Sequence, residues 1–146
     1  MEHRLTTFDD LHLGQIATFS KTVTEADLSL FVAITGDVNP LHVDDEFARR
    51  TLFSTRIAHG MLSASLFSTM VGMLLPGTGA IYRSQTLEFL RPVRIGDTLT
   101  AIFEVEELDA EKNHIGIASR IENQRGDVVI QGKAAASLLR GLREPQ

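Results

Sequence analysis

The sequence predicts an α+β fold in which a curved antiparallel sheet wraps around one long helix. Residues 58–82 contain no Lys, Arg, Asp or Glu, and a helix without charge on any side is expected to be buried all round. The segments after Pro76 are rich in β-branched and aromatic residues and are separated by short turns, which predicts antiparallel strands. Helices precede the strands instead of alternating with them, and this segregation favours α+β.

The first half of the chain is predicted to hold an edge strand and a well-capped helix. Residues 14–20 alternate between apolar and polar side chains, as a strand does. Thr24 is suited to the N-cap, with Asp27 three positions later in a variant of the capping box. Gly36 is suited to end that helix. Residues 37–42 are therefore expected to form a loop directly after a helix.

The central helix is predicted to run from about Gly60 to Leu75, where the following Pro-Gly pair stops it. Four strands are expected after it, at residues 79–91, 98–109, 112–123 and 127–139. Because the turns between these strands are short, each strand is expected to pair with the next one along the chain, as a meander.

Composition excludes several classes of function. The chain has 146 residues, which suits one domain spanning 1–146, and its net charge of −5 argues against nucleic acid as a partner. There is no cysteine, so disulfides and a Cys nucleophile are excluded. The uncharged stretch stops after about sixteen helical residues, too few to cross a membrane. The N-terminus lacks the apolar run of a signal peptide, and the cytoplasm is therefore the expected location.

The most informative motif is Asp37-Val38-Asn39-Pro40-Leu41-His42, followed downstream by His59-Gly60 at the start of the uncharged helix. A carboxylate and an imidazole held on one turn can activate a water molecule by general acid–base chemistry. The free N–H groups at a helix N-terminus can stabilise developing negative charge. Together these groups suit the addition of water to an activated double bond.

Plainer interpretations of the same residues stay open. Asp, Asn and Pro are common in turns that have no function. Ser68 either lines a site or donates to a carbonyl one turn earlier. Four basic residues of the strand region either meet phosphates or, as is more common, are solvated edge charges; they are Arg83, Arg91, Arg94 and Lys133. The five histidines are not at helical metal spacing, so no metal or organic cofactor is predicted.

These motifs resemble those of the MaoC-like, (R)-specific enoyl-CoA hydratases, over roughly residues 14–139. The resemblance includes His59-Gly60-Met61, Ser65-Leu66-Phe67-Ser68 and Leu75-Pro76-Gly77. It implies a hot-dog fold, an antiparallel sheet wrapped around one long helix. It also implies a homodimer that hydrates trans-2-enoyl thioesters of coenzyme A to (R)-3-hydroxyacyl thioesters, as in polyester monomer supply.

The resemblance also implies roles for individual residues. Asp37 and His42 would hold and activate one water, and the Gly60 N–H would bind the thioester oxygen as it becomes enolate-like. Asn39, His59 and Ser68 would line the site.

Three other functions are compatible with this fold. A dehydratase acting on carrier-protein thioesters would use the same chemistry with a different docking partner. A thioesterase would be expected to carry a carboxylate on or beside the central helix, and residues 60–75 contain none. A non-catalytic acyl-thioester-binding module would be expected to lose Asp37 or His42, and this chain keeps both.

Overall fold

The computed structural model describes residues 4–142. Its helical half begins with a short 3-10 turn at Phe8–Asp10 and the strand β1 at Ile16–Thr22. Helix α1 spans Glu25–Thr35, followed by two short helices, α2 at Pro40–Val43 and α3 at Asp45–Arg49. The capping box of Thr24 and Asp27 is present, and Gly36 ends α1 with a left-handed φ of 74°.

The central helix consists of three consecutive segments, α4 at Gly60–Ala64, α5 at Leu66–Thr69 and a π-helical turn at Met70–Leu74. Ser65, between α4 and α5, keeps helical torsion angles. The helix therefore begins where the sequence predicts and ends one residue before Leu75. None of the helices in residues 4–142 is both long enough and apolar enough to cross a membrane.

The expectation that this helix is buried all round was wrong. Phe67, Met70 and Val71 are buried against the sheet, and the Phe67 ring lies 5.3 Å from that of Phe103. The opposite side is open, since the side chains of Met61 and Met73 are 56% and 73% exposed. Lack of charge identified an apolar helix, but it did not reveal that one side faces a cavity and the molecular surface.

The sheet is antiparallel and runs in the order β1-β4-β5-β6-β2, which confirms β1 as an edge strand. The remaining strand, β3, pairs with β6. The strands after the central helix have the following bounds: β2 at Ala80–Gln85, β3 at Glu88–Phe89, β4 at Thr98–Asp109, β5 at His114–Glu122 and β6 at Val128–Leu138. The sheet and the central helix together bury one hydrophobic core.

Two features of the predicted sheet were wrong. The strand expected at 79–91 is two strands, and both pair with β6 and not with the next strand, so only β4, β5 and β6 form a meander. Thr86 lies between β2 and β3 and comes close to Gly132 of β6, where a Cβ would lie 1.8 Å from the backbone oxygen of Thr86. Glycine at position 132 permits this close approach of the two backbones.

Candidate active site

Asp37 is positioned by the turn that ends α1. The Gly36 N–H donates to the Val32 carbonyl at 2.8 Å, which closes the helix. The Asp37 carboxylate then accepts a hydrogen bond from the Asn39 N–H at 3.1 Å. This local bond holds the carboxylate beside its own turn while the side chain remains about half exposed. Asp37 is thus both fixed in place and accessible to a small molecule.

His42 lies on a helical turn, so the expectation of a loop over residues 37–42 was wrong in its second half. Pro40 begins α2, as its fixed φ allows at the first helical position. The Asn39 side chain caps this turn by accepting from the Leu41 N–H at 3.0 Å. The consequence is that His42 is carried on a short rigid turn.

The imidazole of His42 has one nitrogen committed to the backbone. Its Nδ1 lies 2.8 Å from the carbonyl oxygen of Ile57. Because a carbonyl oxygen only accepts, Nδ1 carries the proton in this hydrogen bond, and Nε2 of the neutral ring keeps a free lone pair. That tautomer is the one a general base requires.

Arg56 holds the surrounding elements together. Its guanidinium donates two bonds to the Glu25 carboxylate of α1, at 2.8 and 2.9 Å, and one to Asp45 of α3 at 2.9 Å. A further bond reaches the His42 carbonyl at 3.3 Å. The hydrogen bonds from Arg56 lower the pKa of Glu25 below its usual range, and the two carboxylates raise the pKa of Arg56. The turn that carries His42 is therefore braced by a charged network.

His59 and Gly60 join the Asp37 loop to the central helix. His59 is 2% exposed, and its Nε2 lies 3.0 Å from the Asp37 carbonyl oxygen. The His59 ring stacks on that of His42, with centroids 3.9 Å apart. Gly60 is the first helical residue, and within residues 4–142 no acceptor pairs with its N–H. The motif and the helix start, separate in sequence, therefore form one site.

Asp37, His42 and His59 lie close enough to share a small ligand. A carboxylate oxygen of Asp37 and one ring nitrogen of each histidine are within 4.8 Å of one another. Two hydrogen bonds of roughly 2.8 Å to one water span about 4.6 Å. A single water can therefore bridge the Asp37 carboxylate and His42.

The same cluster has the donor types of a metal site, but His59 fits that role poorly. Its Nε2 is already used by the Asp37 carbonyl. Coordination through Nε2 would move the ring proton to Nδ1, which is buried without a hydrogen-bond partner among the described residues. The expectation of no metal cofactor stays a prediction.

A cavity of about 880 Å³ opens over this cluster. It contains five of the residues that the sequence singled out, namely Asp37, His42, His59, Gly60 and Ser68. Asn39 is not among the lining residues, because its side chain caps the turn before His42. A second cavity of about 470 Å³ touches His42 and Gly60 on another side and includes Phe89 and Arg91.

Ser65 and Ser68 of the central helix differ in what their hydroxyl groups contact. The Ser65 hydroxyl donates to the Leu62 carbonyl at 2.6 Å, the common arrangement for a helical serine. No hydrogen bond to the Ser68 hydroxyl is present within residues 4–142, and Ser68 faces the main cavity. Ser68 is therefore free to bond a ligand.

Several lining residues were not predicted from the sequence. Tyr82 and Gln85 of β2 line the main cavity beside Arg83, which the sequence singled out only as a candidate phosphate contact. Burial raises the pKa of Tyr82 to about 12, and its hydroxyl donates to Gln85 Oε1. Side chains of a regular strand alternate between its two faces, but the register of β2 shifts at Arg83. Because such a β-bulge changes the direction of a side chain, the alternation could not predict which residues face the cavity.

The basic residues considered as phosphate contacts differ from one another in the structure. Arg83 lines the main cavity, and its Nε donates to the buried Ser137 hydroxyl at 2.8 Å. Arg91 lines the second cavity. Arg94 donates to the Phe53 carbonyl at 3.0 Å, and Lys133 pairs with Glu106 at 3.0 Å. The Arg94 and Lys133 side chains are thus occupied by other protein groups.

The glycine at position 60 has a packing reason. The ring of Phe89 fills the space that a side chain would take. A Cβ on Gly60 would lie 2.7 Å from Cε1 and 2.8 Å from Cδ1 of Phe89. Packing by Phe89 therefore requires the glycine.

Comparison with known proteins identifies the family of this chain. The family model described as MaoC like domain matches residues 13–125. The chain belongs to the MaoC-like family. A relative named (R)-specific enoyl-CoA hydratase, from Rhodospirillum rubrum, is 47% identical over 87% of this chain and 88% of its own length.

Solved structures of MaoC-like proteins share the fold. The unliganded R-hydratase of Pseudomonas aeruginosa superposes with a TM-score of 0.87 at 40% identity, covering 97% of this chain and 95% of that one. The (R)-hydratase of Aeromonas caviae, described as involved in polyhydroxyalkanoate (PHA) biosynthesis, has a TM-score of 0.85 at 43% identity, covering 88% of this chain and 98% of that one. The MaoC-like chain is thus an α+β protein with the hot-dog fold.

Proposed function

We propose that this protein is an (R)-specific enoyl-CoA hydratase, a hydro-lyase that adds water reversibly to trans-2-enoyl-CoA to give (R)-3-hydroxyacyl-CoA. The observation that carries this proposal is the pairing of the half-exposed Asp37 carboxylate with His42, whose free Nε2 follows from the Nδ1 bond to Ile57. Both groups line one cavity. The named activities of relatives at 40–47% identity support the same reaction.

Asp37 and His42 act on one water molecule. The pair accepts a proton from this water as its oxygen forms a bond to C3 of the enoyl group. The electrons of the double bond move towards the thioester carbonyl, and a proton returns from the pair to C2. One water is consumed and neither residue is changed at the end. Because both residues lie on one wall of the cavity, hydroxyl and hydrogen arrive on the same face of the substrate.

Gly60 stabilises the charge that develops on the thioester oxygen. Its N–H has no acceptor within residues 4–142 and begins the central helix, whose dipole favours negative charge at that end. Loss of one such donor typically costs about 3–4 kcal/mol of transition-state stabilisation. Ser68, without a hydrogen-bond partner among the described residues, supplies a further polar group at the wall.

The protein acts as a homodimer in this proposal. The open side of the central helix exposes Met61, Met73 and Leu74, and the neighbouring strand β2 exposes Tyr82. Strand β2 also ends the sheet, and its outer edge is unpaired within residues 4–142. Apolar side chains beside a free strand edge suit association with a second copy. Light scattering on the purified protein tests this assembly.

Other assignments are less well supported. The central helix has no carboxylate, which disfavours a thioesterase. The presence of both Asp37 and His42 in hydrogen-bonding positions disfavours a non-catalytic binder. Cytoplasmic location stays a prediction from sequence. The product suits either polyester monomer supply or fatty-acid breakdown, and metabolite levels would set the net direction.

Incubation of the purified protein with crotonyl-CoA and octenoyl-CoA tests the proposal. We expect loss of the conjugated enoyl absorbance and a product of (R) configuration, and the ratio of rates would report the accepted chain length. A parallel assay uses crotonyl groups on an acyl carrier protein. Turnover of the carrier substrate alone would assign the protein as a carrier-protein dehydratase. Absence of turnover on both, with folded protein, would favour the binding module.

A further inference from the structure

His59 contacts both residues of the proposed catalytic pair without itself being needed as acid or base. Its Nε2 lies 3.0 Å from the Asp37 carbonyl oxygen. Its ring stacks on His42 at 3.9 Å with the planes inclined by 30°, and it also contacts Phe31 at 4.9 Å. A side chain that is 2% exposed and packed in this way has little freedom to move.

The contact with Asp37 determines which nitrogen of His59 carries the proton. The Asp37 carbonyl oxygen only accepts, so Nε2 is the protonated atom in this hydrogen bond. The neutral ring then presents Nδ1 as an acceptor. That atom is buried, and no partner for it lies within residues 4–142.

A second buried polar group without a hydrogen-bond partner among the described residues lies one turn along the helix. The Ser63 hydroxyl is buried and also has no hydrogen-bond partner within the described part of the chain. The Ser63 N–H donates to the His59 carbonyl at 3.3 Å, so the two residues are one turn apart. Buried polar atoms are nearly always paired with protein or with ordered water. An acceptor at His59 and a donor at Ser63 are complementary.

We propose that His59 is a positioning residue for hydration, an inference that rests on the proposed function. Its Nε2–H holds the backbone of Asp37, and its ring supports the imidazole of His42. The Ser63 hydroxyl donates to Nδ1 through one buried water, and so maintains the required tautomer. The chain from Ser63 through His59 to Asp37 thereby sets the distance between the two groups that share the water.

Loss of this arrangement should affect turnover more than substrate binding. Misplacement of a reacting group by 1 Å can reduce the rate by about 10²-fold. Only a small part of the His59 side chain is exposed to the cavity, so most contacts with the substrate would remain. A change in kcat with little change in KM is the expected signature.

Three substitutions separate the functions of the His59 side chain. Gln places a donor near the position of Nε2 without a ring, Phe keeps a ring without a donor, and Leu provides neither. We expect His59→Phe and His59→Leu to reduce kcat by about 10²-fold with KM changed less than about threefold. His59→Gln should stay within about tenfold of the parent, because it can still hold the Asp37 carbonyl.

Ser63→Ala should also lower kcat, by a smaller factor than His59→Phe does. The matched control is Ser29→Ala, which removes an exposed helical hydroxyl that bonds only to the Glu25 carbonyl and should leave kcat unchanged. Parent-like turnover by His59→Phe, or equal losses in His59→Phe and His59→Gln, would overturn the positioning role. Thermal melts and oligomeric state establish that each variant is folded.

Nitrogen-15 NMR of the unmodified protein gives a test that does not depend on activity. We expect the spectrum of His59 to show the Nε2–H tautomer. The Nδ1–H tautomer would overturn the inference, whether or not the protein turns over enoyl-CoA. Failure of the unmodified protein to hydrate enoyl-CoA would instead contradict the proposed function, and the NMR result would still decide the hydrogen-bonding arrangement.

Discussion

His42 and Ile57 are joined by a hydrogen bond of 2.8 Å between the Nδ1 of the histidine and the backbone oxygen. The two residues are separated by the short helix α3 and its following turn. This contact orients the imidazole with Nε2 available to a ligand. A substitution that keeps this hydrogen bond to Ile57 but removes Nε2 therefore isolates the chemical role of His42.

Asparagine at position 42 should abolish turnover and preserve the fold. Its side-chain N–H₂ can occupy the position of Nδ1 and donate to Ile57, but no group replaces Nε2. We expect His42→Asn to lower kcat by about 10²- to 10⁴-fold, the usual contribution of a general acid or base. The melting temperature should change little. Retention of near-parent kcat would contradict the role of Nε2.

The backbone N–H of Gly60 can be tested with a proline, because proline is well tolerated at the first position of a helix and has no N–H. A direct substitution would clash with Phe89, since a Cβ at position 60 lies 2.7 Å from its ring. We therefore compare Gly60→Pro/Phe89→Ala with Gly60→Ala/Phe89→Ala. The kcat of the proline pair should be lower than that of the alanine pair by a factor of about 10² to 10³.

The alanine pair serves as the control for that experiment because it keeps the N–H and relieves the same clash. Equal kcat in the proline and alanine pairs would show that the Gly60 N–H does not act on the substrate. Circular dichroism and thermal melts should give similar values for both pairs.

The Arg56 network should contribute stability that depends on pH. The hydrogen bonds of Arg56 lower the pKa of Glu25 from its ordinary value of 4.5. A carboxyl with a lowered pKa stabilises the fold above its ordinary pKa, and this contribution is lost as the pH falls through the lowered value. Glu25→Gln should therefore destabilise the protein near neutrality and have no cost in strong acid.

We expect Arg56→Ala to lower the free energy of unfolding by about 1–2 kcal/mol, a modest value because Glu25 and Asp45 are largely exposed. Arg56→Lys should recover only part of this loss, since an ammonium cannot form the two parallel bonds to Glu25. Urea titrations at several pH values measure both effects. A pH-independent cost for Glu25→Gln would contradict the linkage.

Gly36 should tolerate asparagine better than alanine. Its φ of 74° is left-handed, and a Cβ there would meet no heavy atom within 4 Å. The cost of Gly36→Ala is therefore backbone strain alone, about 1–2 kcal/mol, and Asn adopts this conformation more readily. Gly72, which has open space and an ordinary φ, is the control, and Gly72→Ala should not destabilise the helix. Thermal denaturation distinguishes these cases.

Local sequence signals predicted the elements of this protein better than their arrangement. Thr24, Asp27 and Gly36 fixed the ends of α1 correctly because capping depends on neighbouring residues alone. The pairing of β2 with β6 could not be predicted, because it depends on contacts across the whole second half of the chain. The close approach of Thr86 to β6 likewise depends on Gly132, a residue distant in sequence.

In the candidate site, too, features set by neighbouring residues were predicted and contacts between distant residues were not. Asp37 and His42 lie within one motif and were identified together, and the helix start at Gly60 followed from the uncharged segment. Tyr82 and Gln85 were missed as lining residues, because a register shift in β2 sets their direction. The role of Phe89 against Gly60 was also invisible, since nothing in sequence connects a glycine with an aromatic residue so far along the chain.

A double-mutant cycle of Asp37→Asn and His42→Asn, measured as kcat with crotonyl-CoA, shows whether the two side chains act on the same water molecule. If both side chains act on one water, either substitution alone should remove most of the rate enhancement of the pair. The double variant should then be little slower than the slower single variant, because groups that act as a unit are not additive. A double variant whose loss equals the product of two large single losses would contradict the shared water.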